Sequence, residues 1–519
     1  MARYKTFYFY LFFVVALLPI FIFRDFTPDN ELRYLSITDE ALRNHTFFAF
    51  TNHGIPYADK PPLFLWGLMG LRTVAGSHYL WLYSLLTLIP AIAIARIFDR
   101  WTIGIIPPNS RLVFQGMLLV TGLFIGSTLV LRMDMLMCLF IVMAFYEFWK
   151  ITENPLNNFA KWLFPIYIFL AVFTKGPLGF LIPLVCTLAY SVAVRKYRYI
   201  VLAWGGRCWT LLLPLIILWF LCVFGEGGQE YLNNLLFHQT VDRAVNSFHH
   251  ARPFYYYLIA FWYCLLPWSL AILGLLIAAL NKWRLPEGLQ AYFLVIFLTT
   301  LILLSCISSK LQIYMLPAIP FIIYASAISL PGYQNNVWVK AGLAVISIIL
   351  ILVLPALPII KHAKTLIYLE SFWCWIIAAC LCVSGIVSIW CLYFRKKPFP
   401  VNSSMYALMG GILTTIFFAG LAVPQFNDYM GYRNLSYEIN EISRSSGITS
   451  VVCDDVRRPE NMDVYLNKDI RLIIETKNED SNHNMVSKPY ILVTEKRNYD
   501  NAEGENLHII GNYAVSVVE

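Results

Sequence analysis

The sequence predicts an all-α polytopic membrane protein with about 13 transmembrane helices and a small C-terminal extracytoplasmic α/β domain. The chain of 519 residues is 59% hydrophobic and only 13% charged, and its mean hydropathy is +0.62. A soluble core does not need so many apolar side chains. Apolar runs long enough to cross a bilayer recur along residues 1–423, whereas residues 424–519 are polar and contain strand-like runs.

The predicted spans lie at 7–23, 80–97, 112–127, 134–149, 161–174, 177–194, 209–225, 255–280, 289–306, 312–330, 338–360, 368–394 and 404–423. The first run lacks a small-residue cleavage site, so we expect an uncleaved span rather than a signal peptide. A further apolar run, 63–75, is about half of the ~20 residues that a span requires and carries Arg72. We expect it to lie in the interface or to re-enter.

Charge sets the expected orientation. If 63–75 does not cross, the basic clusters between spans all fall on the side of Arg3 and Lys5, which is then the cytoplasmic side. Residues 1–423 then form a transmembrane domain with a long extracytoplasmic loop at 24–79, and 424–519 form a soluble extracytoplasmic domain. The net charge of +8 belongs to short loops, so no nucleic-acid partner is expected. The spacing of the eleven cysteines indicates neither a disulfide framework nor a CxxC metal site.

The segment "TPDNELRY", residues 27–34, places three ionisable side chains directly after the first span. Thr27 is a suitable N-cap for a helix that begins at Pro28. Asp29 and Glu31 would then lie in the first turn, where the helix dipole keeps carboxylates ionised and fit to act as a base or a cation ligand. Arg33 lies four residues after Asp29, so a plain salt bridge within the helix is the alternative.

Other polar residues stand at the same expected face. A lone cation at the end of a span is usually a snorkelling anchor. Several cations together with carboxylates instead favour a site for an anionic, phosphate-bearing substrate, and a lysine before a double proline is well placed to hold phosphate. The residues concerned are Asp59 and Lys60 in "YADKPPLF", Arg132 and Asp134 in "LRMDMLM", Lys175 in "FTKGPLGF", Lys310 and Tyr314 in "SSKLQIYMLP", and His238, Arg243 and His250 in "HQTVDRAVNSFHHARPF".

As an ordered set, these motifs resemble the GT-C glycosyltransferases, and more narrowly the protein mannosyltransferase and lipid A aminoarabinose transferase family. "SSKLQIYMLPAIP" is similar to the family's "SKGKLPTYILP", and "HARPFYYYL" followed by "LPWS" is similar to "HRAPFWYYL…LPW". This chain departs from the family's Asp-Glu-x-Arg-Tyr motif. When the motif is aligned on Arg33, its aspartate corresponds to Asn30, and when it is aligned on Pro28, its aspartate corresponds to Asp29. The family's Glu-Lys-Pro begins with Asp59, and its Glu-His before the loop arginine is Gln239-Thr240.

The resemblance implies an enzyme that moves a sugar, aminoarabinose-like or a hexose, from a polyisoprenyl-phosphate donor to an extracytoplasmic acceptor such as lipid A, with inversion. It implies a protein of the bacterial cytoplasmic membrane whose active site and C-terminal domain face the periplasm. Membrane lipids are then expected as partners. A protein or polysaccharide acceptor is the alternative within the family. A lipid transporter or flippase is the alternative class, but that class predicts repeated spans and charges at mid-membrane depth.

The resemblance also implies a role for each polar residue named above. The catalytic candidates are Asp29, Glu31 and Asp134, and the substrate- or phosphate-binding candidates are Arg33, Tyr34, Lys60, Arg132, Lys175, Arg243, His250, Lys310 and Tyr314. The one cofactor considered is a divalent cation, held by Asp59 and either His238 or His250.

Overall fold

The computed structural model describes residues 2–236, 252–280, 286–363, 371–395, 398–475, 488–497 and 505–518. Most of this chain is helical. The helices are α1 (Ala2–Phe23), α2 (Arg33–Asn44), α3 (Pro62–Ala75), α4 (Leu80–Tyr83), α5 (Leu85–Trp101), α6 (Pro108–Leu119), α7 (Gly122–Leu129), α8 (Asp134–Glu153), α9 (Asn158–Lys175), α10 (Leu178–Ala193), α11 (Arg198–Trp204), α12 (Gly206–Asn233), α13 (Tyr256–Cys264), α14 (Ser269–Leu280), α15 (Gly288–Cys306), α16 (Ile319–Ser329), α17 (Val337–Ala363), α18 (Phe372–Tyr393), α19 (Pro400–Ala422), α20 (Asn427–Met430) and α21 (Arg433–Ser446).

The helices confirm an integral membrane protein. Within the described ranges, nine helical segments are long and apolar enough to cross a bilayer, or eleven if the bent pairs α6/α7 and α13/α14 each count as one span. The two remaining predicted spans are α9, with 18 residues, and α10, with 16. The count of about 13 therefore stays a prediction. Helix α3 has 14 residues, about 21 Å at ~1.5 Å per residue, which is shorter than the hydrocarbon core.

The long loop between α1 and α4 is held by two carboxylates, the buried Glu40 and the exposed Glu226. Glu40 of α2 accepts hydrogen bonds from the amides of His53 and Gly54, at 2.7 and 2.9 Å, and so closes a small hairpin of β1 (Thr51–Asn52) and β2 (Ile55–Pro56). Glu226 of α12 accepts hydrogen bonds from the backbone amides of residues 47–49. These contacts fix the chain just before Asp59 and Lys60.

The C-terminal region confirms the predicted α/β domain. Helix α21 packs on a five-stranded sheet of β3 (Ser450–Asp454), β4 (Arg471–Glu475), β5 (Tyr490–Glu495), β6 (Glu505–Ile510) and β7 (Tyr513–Val518), in the order β4-β3-β5-β7-β6. Strand β3 is parallel to β4 and β5, and β7 is antiparallel to β5 and β6. Strands β6 and β7 form a hairpin that turns at Gly511, where φ is +58°. A domain boundary at 423/424 stays a prediction.

Candidate active site

A cavity of about 320 Å³ lies where the long loop meets the ends of α9, α10 and α12. Its polar wall contains four of the predicted residues, Asp59, Lys60, Lys175 and Tyr314, together with Ser309. Its apolar wall comes from α9, α10, α12 and the residues just after α12, and includes Val172, Leu178, Leu181, Trp219, Phe220, Leu235 and Leu236. A concave site with mostly apolar walls and a few converging polar groups is the usual form of a small-molecule or lipid site.

Asp134, the first residue of α8, is the buried anion behind this cavity. Its side chain is 2% exposed and forms ion pairs with Lys175 and Arg132. The Lys175 ammonium contacts Oδ1, and Arg132 Nε donates to Oδ2 at 3.1 Å. A carboxylate at this depth is tolerated only when it is paired and hydrogen-bonded. The structure therefore brings the predicted Arg132, Asp134 and Lys175 together.

Lys175 connects that ion-pair network to the cavity. It is the last residue of α9, and the chain turns directly afterwards because Gly176 adopts a φ of +94°, a conformation that favours glycine. Its ammonium lies 4.9 Å from the ring centroid of Tyr314, within the range of a cation–π contact. Lys175 is thus fixed between Asp134 and Tyr314 at the cavity wall.

Asp59 and Lys60 reach the cavity from the loop. Pro61 is extended, with φ −66° and ψ 161°, and Pro62 begins α3. Proline suits the first position of a helix, and the residue before a proline is biased towards extended backbone. The double proline therefore ends the loop abruptly, and Asp59 and Lys60 line the cavity just before it.

Glu31 has a different environment from the one expected of a base. It is fully buried and forms two hydrogen bonds of 2.7 Å with the Arg24 guanidinium. It also accepts hydrogen bonds from the amides of Thr27 and Leu131, at 2.8 and 2.7 Å. Burial raises the pKa of Glu31, but the hydrogen bonds and charge of Arg24 outweigh burial and hold it below its ordinary value. Glu31 joins the end of α1 to the segment before α8.

The start of the helix at "TPDNELRY" also differs in detail from the prediction. The chain becomes helical at Pro28, but residues Pro28–Leu32 form a π-helical turn. The Thr27 hydroxyl donates to Glu31 at 3.0 Å instead of capping the backbone. Asp29 pairs with Arg457 of the C-terminal domain rather than with Arg33. Arg33 donates to Asn30 at 3.2 Å. The salt bridge within the helix, considered as the plain alternative, is replaced by a contact between domains.

Two further predicted residues lie beside the site. Tyr34 is buried, and burial raises the pKa of its hydroxyl to about 12, so the hydroxyl stays protonated at neutral pH; the charge of Arg132 acts in the opposite direction. Lys310 is 5% exposed and donates to the Ile307 carbonyl at 2.6 Å. Neither residue is among those that line the cavity.

The remaining predicted residues are His238, Arg243 and His250, which lie outside the described residues. Within the part of the chain that the structure describes, no group of three or more His, Cys, Asp or Glu side chains is arranged to hold a metal ion. Sequence reasoning missed Arg24, Arg457, Trp219 and Phe220. Only Arg24 gave a signal, because Glu31, a carboxylate eight residues after the first span, needs a nearby cation if it is buried.

No protein-family model matches the chain. The undecaprenyl phosphate-alpha-4-amino-4-deoxy-L-arabinose arabinosyl transferase 1 of Pseudomonas fluorescens is 25% identical over 318 residues, which are 59% of this chain and 54% of that protein. An uncharacterized protein of Aquifex aeolicus is 22% identical over 508 residues, 94% of this chain and 91% of its own. The crystal structure of ArnT from Cupriavidus metallidurans bound to undecaprenyl phosphate gives a TM-score of 0.76 at 16% identity, covering 99% of this chain and 98% of that one.

The chain has the fold of ArnT from Cupriavidus metallidurans. This finding confirms the resemblance that the ordered motifs indicated. The structural match extends over nearly the whole chain, and therefore includes the C-terminal α/β domain, for which the sequence offered no family motif. In sequence, the chain spans about half the length of the Pseudomonas transferase. In this fold, the cavity with Lys60 and Lys175 is the candidate active site.

Proposed function

We propose that the chain is an integral-membrane glycosyltransferase that moves a sugar from a polyisoprenyl-phosphate donor to an extracytoplasmic acceptor. The observation that carries this proposal is the position of Lys175, held between Asp134 and Tyr314 in a cavity that Lys60 also lines. Two ammonium groups and a phenol face one small space with apolar walls. That combination suits a phosphate attached to a lipid chain.

The reaction needs little proton transfer at the donor. When the bond between the anomeric carbon and the phosphate oxygen breaks, the oxygen keeps the electron pair and the lipid phosphate leaves. Lys60 and Lys175 stabilise the charge that grows on this phosphate, which is the kind of electrostatic contribution that often dominates catalysis. Asp134 holds Lys175 in place, and Arg132 binds the other oxygen of the same carboxylate. Direct attack by the acceptor, with no covalent intermediate, predicts inversion at the anomeric carbon.

The names of the relatives support the proposed donor, and the charge of the acceptor group supports the proposed acceptor. The names of the Pseudomonas protein and of ArnT's bound lipid favour aminoarabinose as the sugar and undecaprenyl phosphate as the carrier. Lipid A is the proposed acceptor, since its phosphate is already anionic and needs no general base. A hydroxyl acceptor on protein or polysaccharide would need a base. Asp59 is the carboxylate among the described residues that lines the cavity, whereas Asp29 and Glu31 are engaged elsewhere.

The proposed setting is a bacterial cytoplasmic membrane, with the cavity and residues 424–519 on the periplasmic side. The distribution of basic residues between the spans supports this orientation. A divalent cation remains a proposal in which Asp59 and His238 would contribute oxygen and nitrogen ligands. Arg243 and His250, which precede α13 in the sequence, are proposed to contact the donor phosphate.

The first test is sugar transfer by the purified full-length chain in lipid nanodiscs. The donor is undecaprenyl phosphate aminoarabinose, and lipid A and hydroxyl acceptors are offered in parallel. We expect Lys60→Ala and Lys175→Ala each to lower kcat by about 10²-fold or more, since each removes a cation from the leaving group. Lys161→Ala is the matched control, because Lys161 lies near the other end of α9 and outside the cavity lining.

The outcomes separate the alternatives. Transfer to lipid A but not to hydroxyl acceptors supports the lipid A enzyme, and the reverse result supports an O-glycosyltransferase. A folded wild type that consumes no donor with any acceptor and binds no undecaprenyl phosphate would contradict the transferase proposal. Lipid transport would then be the function to assay.

A further inference from the structure

A second and larger cavity, of about 1180 Å³, lies at the other end of α1. It is a groove between the N-terminal part of α1, the end of α5, the start of α6 and one face of α19. Helix α1 is 22 residues long, about 33 Å at ~1.5 Å per residue, and separates Lys5 in this groove from Arg24 beside the active-site loop. The groove shares no lining residue with the active-site cavity. We refer to it as the α1–α5 groove.

The groove carries an excess of positive charge. Lys5, Arg96 and Arg111 line it, and Asp99 is the carboxylate that opposes them. Asp99 is buried and is engaged mainly by Arg111, whose Nε and Nη2 lie 2.8 and 2.7 Å from its two oxygens. Arg96 reaches Asp99 only at 3.6 Å, and its side chain is 52% exposed. One carboxylate therefore fixes one arginine, while Arg96 and Lys5 present their charge to the groove.

The open side of the groove is apolar and aromatic. Tyr8 of α1 and Tyr406 of α19 line it, with exposed fractions of 63% and 39%. Leu112 and Pro108 of α6 lie beside them. Tyrosine is enriched where the acyl region of a bilayer meets its headgroups. The groove thus combines cations for a headgroup with a wall suited to the first part of an acyl chain.

We propose that the α1–α5 groove is a binding site for an anionic phospholipid, with the headgroup phosphate contacting Lys5 and Arg96. Basic pockets between transmembrane helices are typical sites for anionic lipid headgroups. The charge distribution of the sequence puts this end of the helices on the cytoplasmic side, where anionic lipids meet the basic ends of spans. The inference does not depend on the proposed sugar transfer, since it concerns different residues at the opposite ends of the helices.

The test measures which lipid stays bound to the full-length protein. The protein is purified in a mild detergent and exposed to equal amounts of phosphatidylglycerol and phosphatidylcholine with the same acyl chains, and retained lipid is counted by native mass spectrometry. We expect the wild type to retain phosphatidylglycerol preferentially. We expect Lys5→Gln and Arg96→Gln each to reduce that preference about fivefold, the effect expected for one basic residue near an anionic lipid surface.

Two variants keep the result interpretable. Arg100→Gln is the matched control, since Arg100 lies one helical turn after Arg96 on α5 but lines a different cavity. It should leave the preference unchanged. Arg96→Lys keeps the charge and should keep most of the preference. Equal retention of the two lipids by the wild type, or an equal loss in Arg100→Gln, would overturn the proposal. Displacement of the lipid by soluble glycerol phosphate would instead identify a small-anion site and would also overturn it.

Discussion

At the scale of single residues, Asp134 is the side chain on which the active site depends most. It is one carboxylate between two cations, Arg132 and Lys175, and it is almost completely buried. Without its charge, these two cations would face each other with no anion between them. Removing one partner of a buried ion pair typically costs about 3–5 kcal/mol, because the remaining charge stays buried and unpaired.

We predict that Asp134→Asn lowers both stability and transfer, the latter by about 10²-fold, since Lys175 would no longer be held at the cavity. Glu147→Gln is the control. Glu147 is also a buried carboxylate of α8 and pairs with Lys150 at 2.8 Å, but it lies outside the cavity lining. Thermal unfolding and the transfer rate are measured for both variants. If Glu147→Gln loses as much activity as Asp134→Asn, the loss comes from general destabilisation of α8.

The structure brings some of the predicted site residues together and separates others. Lys60, Lys175 and Tyr314 come from three distant segments and line one cavity. The roles of Asp29 and Glu31 depend on partners that spacing does not reveal. Asp29 meets Arg457, 428 positions away. A local pattern describes neighbours along a helix, and the partner of Asp29 is set by the docking of another domain.

At the scale of elements, the turn between α9 and α10 positions Lys175. The two helices approach so closely that a Cβ built on Gly179 of α10 would lie 2.4 Å from the carbonyl carbon of Ala171 on α9. Small residues at helix crossings commonly allow such close packing in membranes. The ends of the same two helices carry cavity-lining residues, so the distance between the helices at this crossing also sets the positions of those residues.

We predict that Gly179→Ala separates α9 from α10 and lowers both thermal stability and transfer, because the new methyl group meets backbone rather than a flexible side chain. Overpacking of this kind typically costs about 1–3 kcal/mol. Gly126→Ala is the matched control on α7, where a Cβ meets no atom within 4 Å. The control should be neutral or stabilise the helix by about 0.5–1 kcal/mol. Equal melting temperatures for wild type and Gly179→Ala would show that the helices adjust without cost.

The sequence predicted where helices occur more reliably than where they bend. The predicted spans 112–127 and 255–280 are each two helices, bent by 62° and 110° respectively. Hydropathy reports composition along the chain, and both halves of a broken span remain apolar. The bend between α6 and α7 instead depends on tertiary contacts, such as the hydrogen bond from the Gly122 amide to the Leu266 carbonyl at 2.7 Å.

At the scale of the whole molecule, the C-terminal domain and the long loop form one structural unit. Phe26 and Leu35 of the loop share a single buried apolar cluster with Leu435 and Val451 of the C-terminal domain. Asp25 connects the two parts through polar contacts. Its carboxylate accepts hydrogen bonds from the Tyr465 hydroxyl at 2.6 Å and from the Arg433 amide at 2.8 Å. The domain that sequence alone describes as separate is therefore packed against the active-site loop.

We predict that Asp25→Asn loosens this docking. An amide has one acceptor oxygen, so its NH₂ group would face either the Arg433 amide or the Phe26 amide, and one donor would lose its partner. An unsatisfied buried donor costs about 1–3 kcal/mol. Hydrogen exchange in α21 should therefore accelerate about tenfold, whereas Asp428→Asn, which changes an exposed contact with Asn434, should leave it unchanged. Unchanged exchange in Asp25→Asn would mean that the apolar cluster alone holds the domain on the loop.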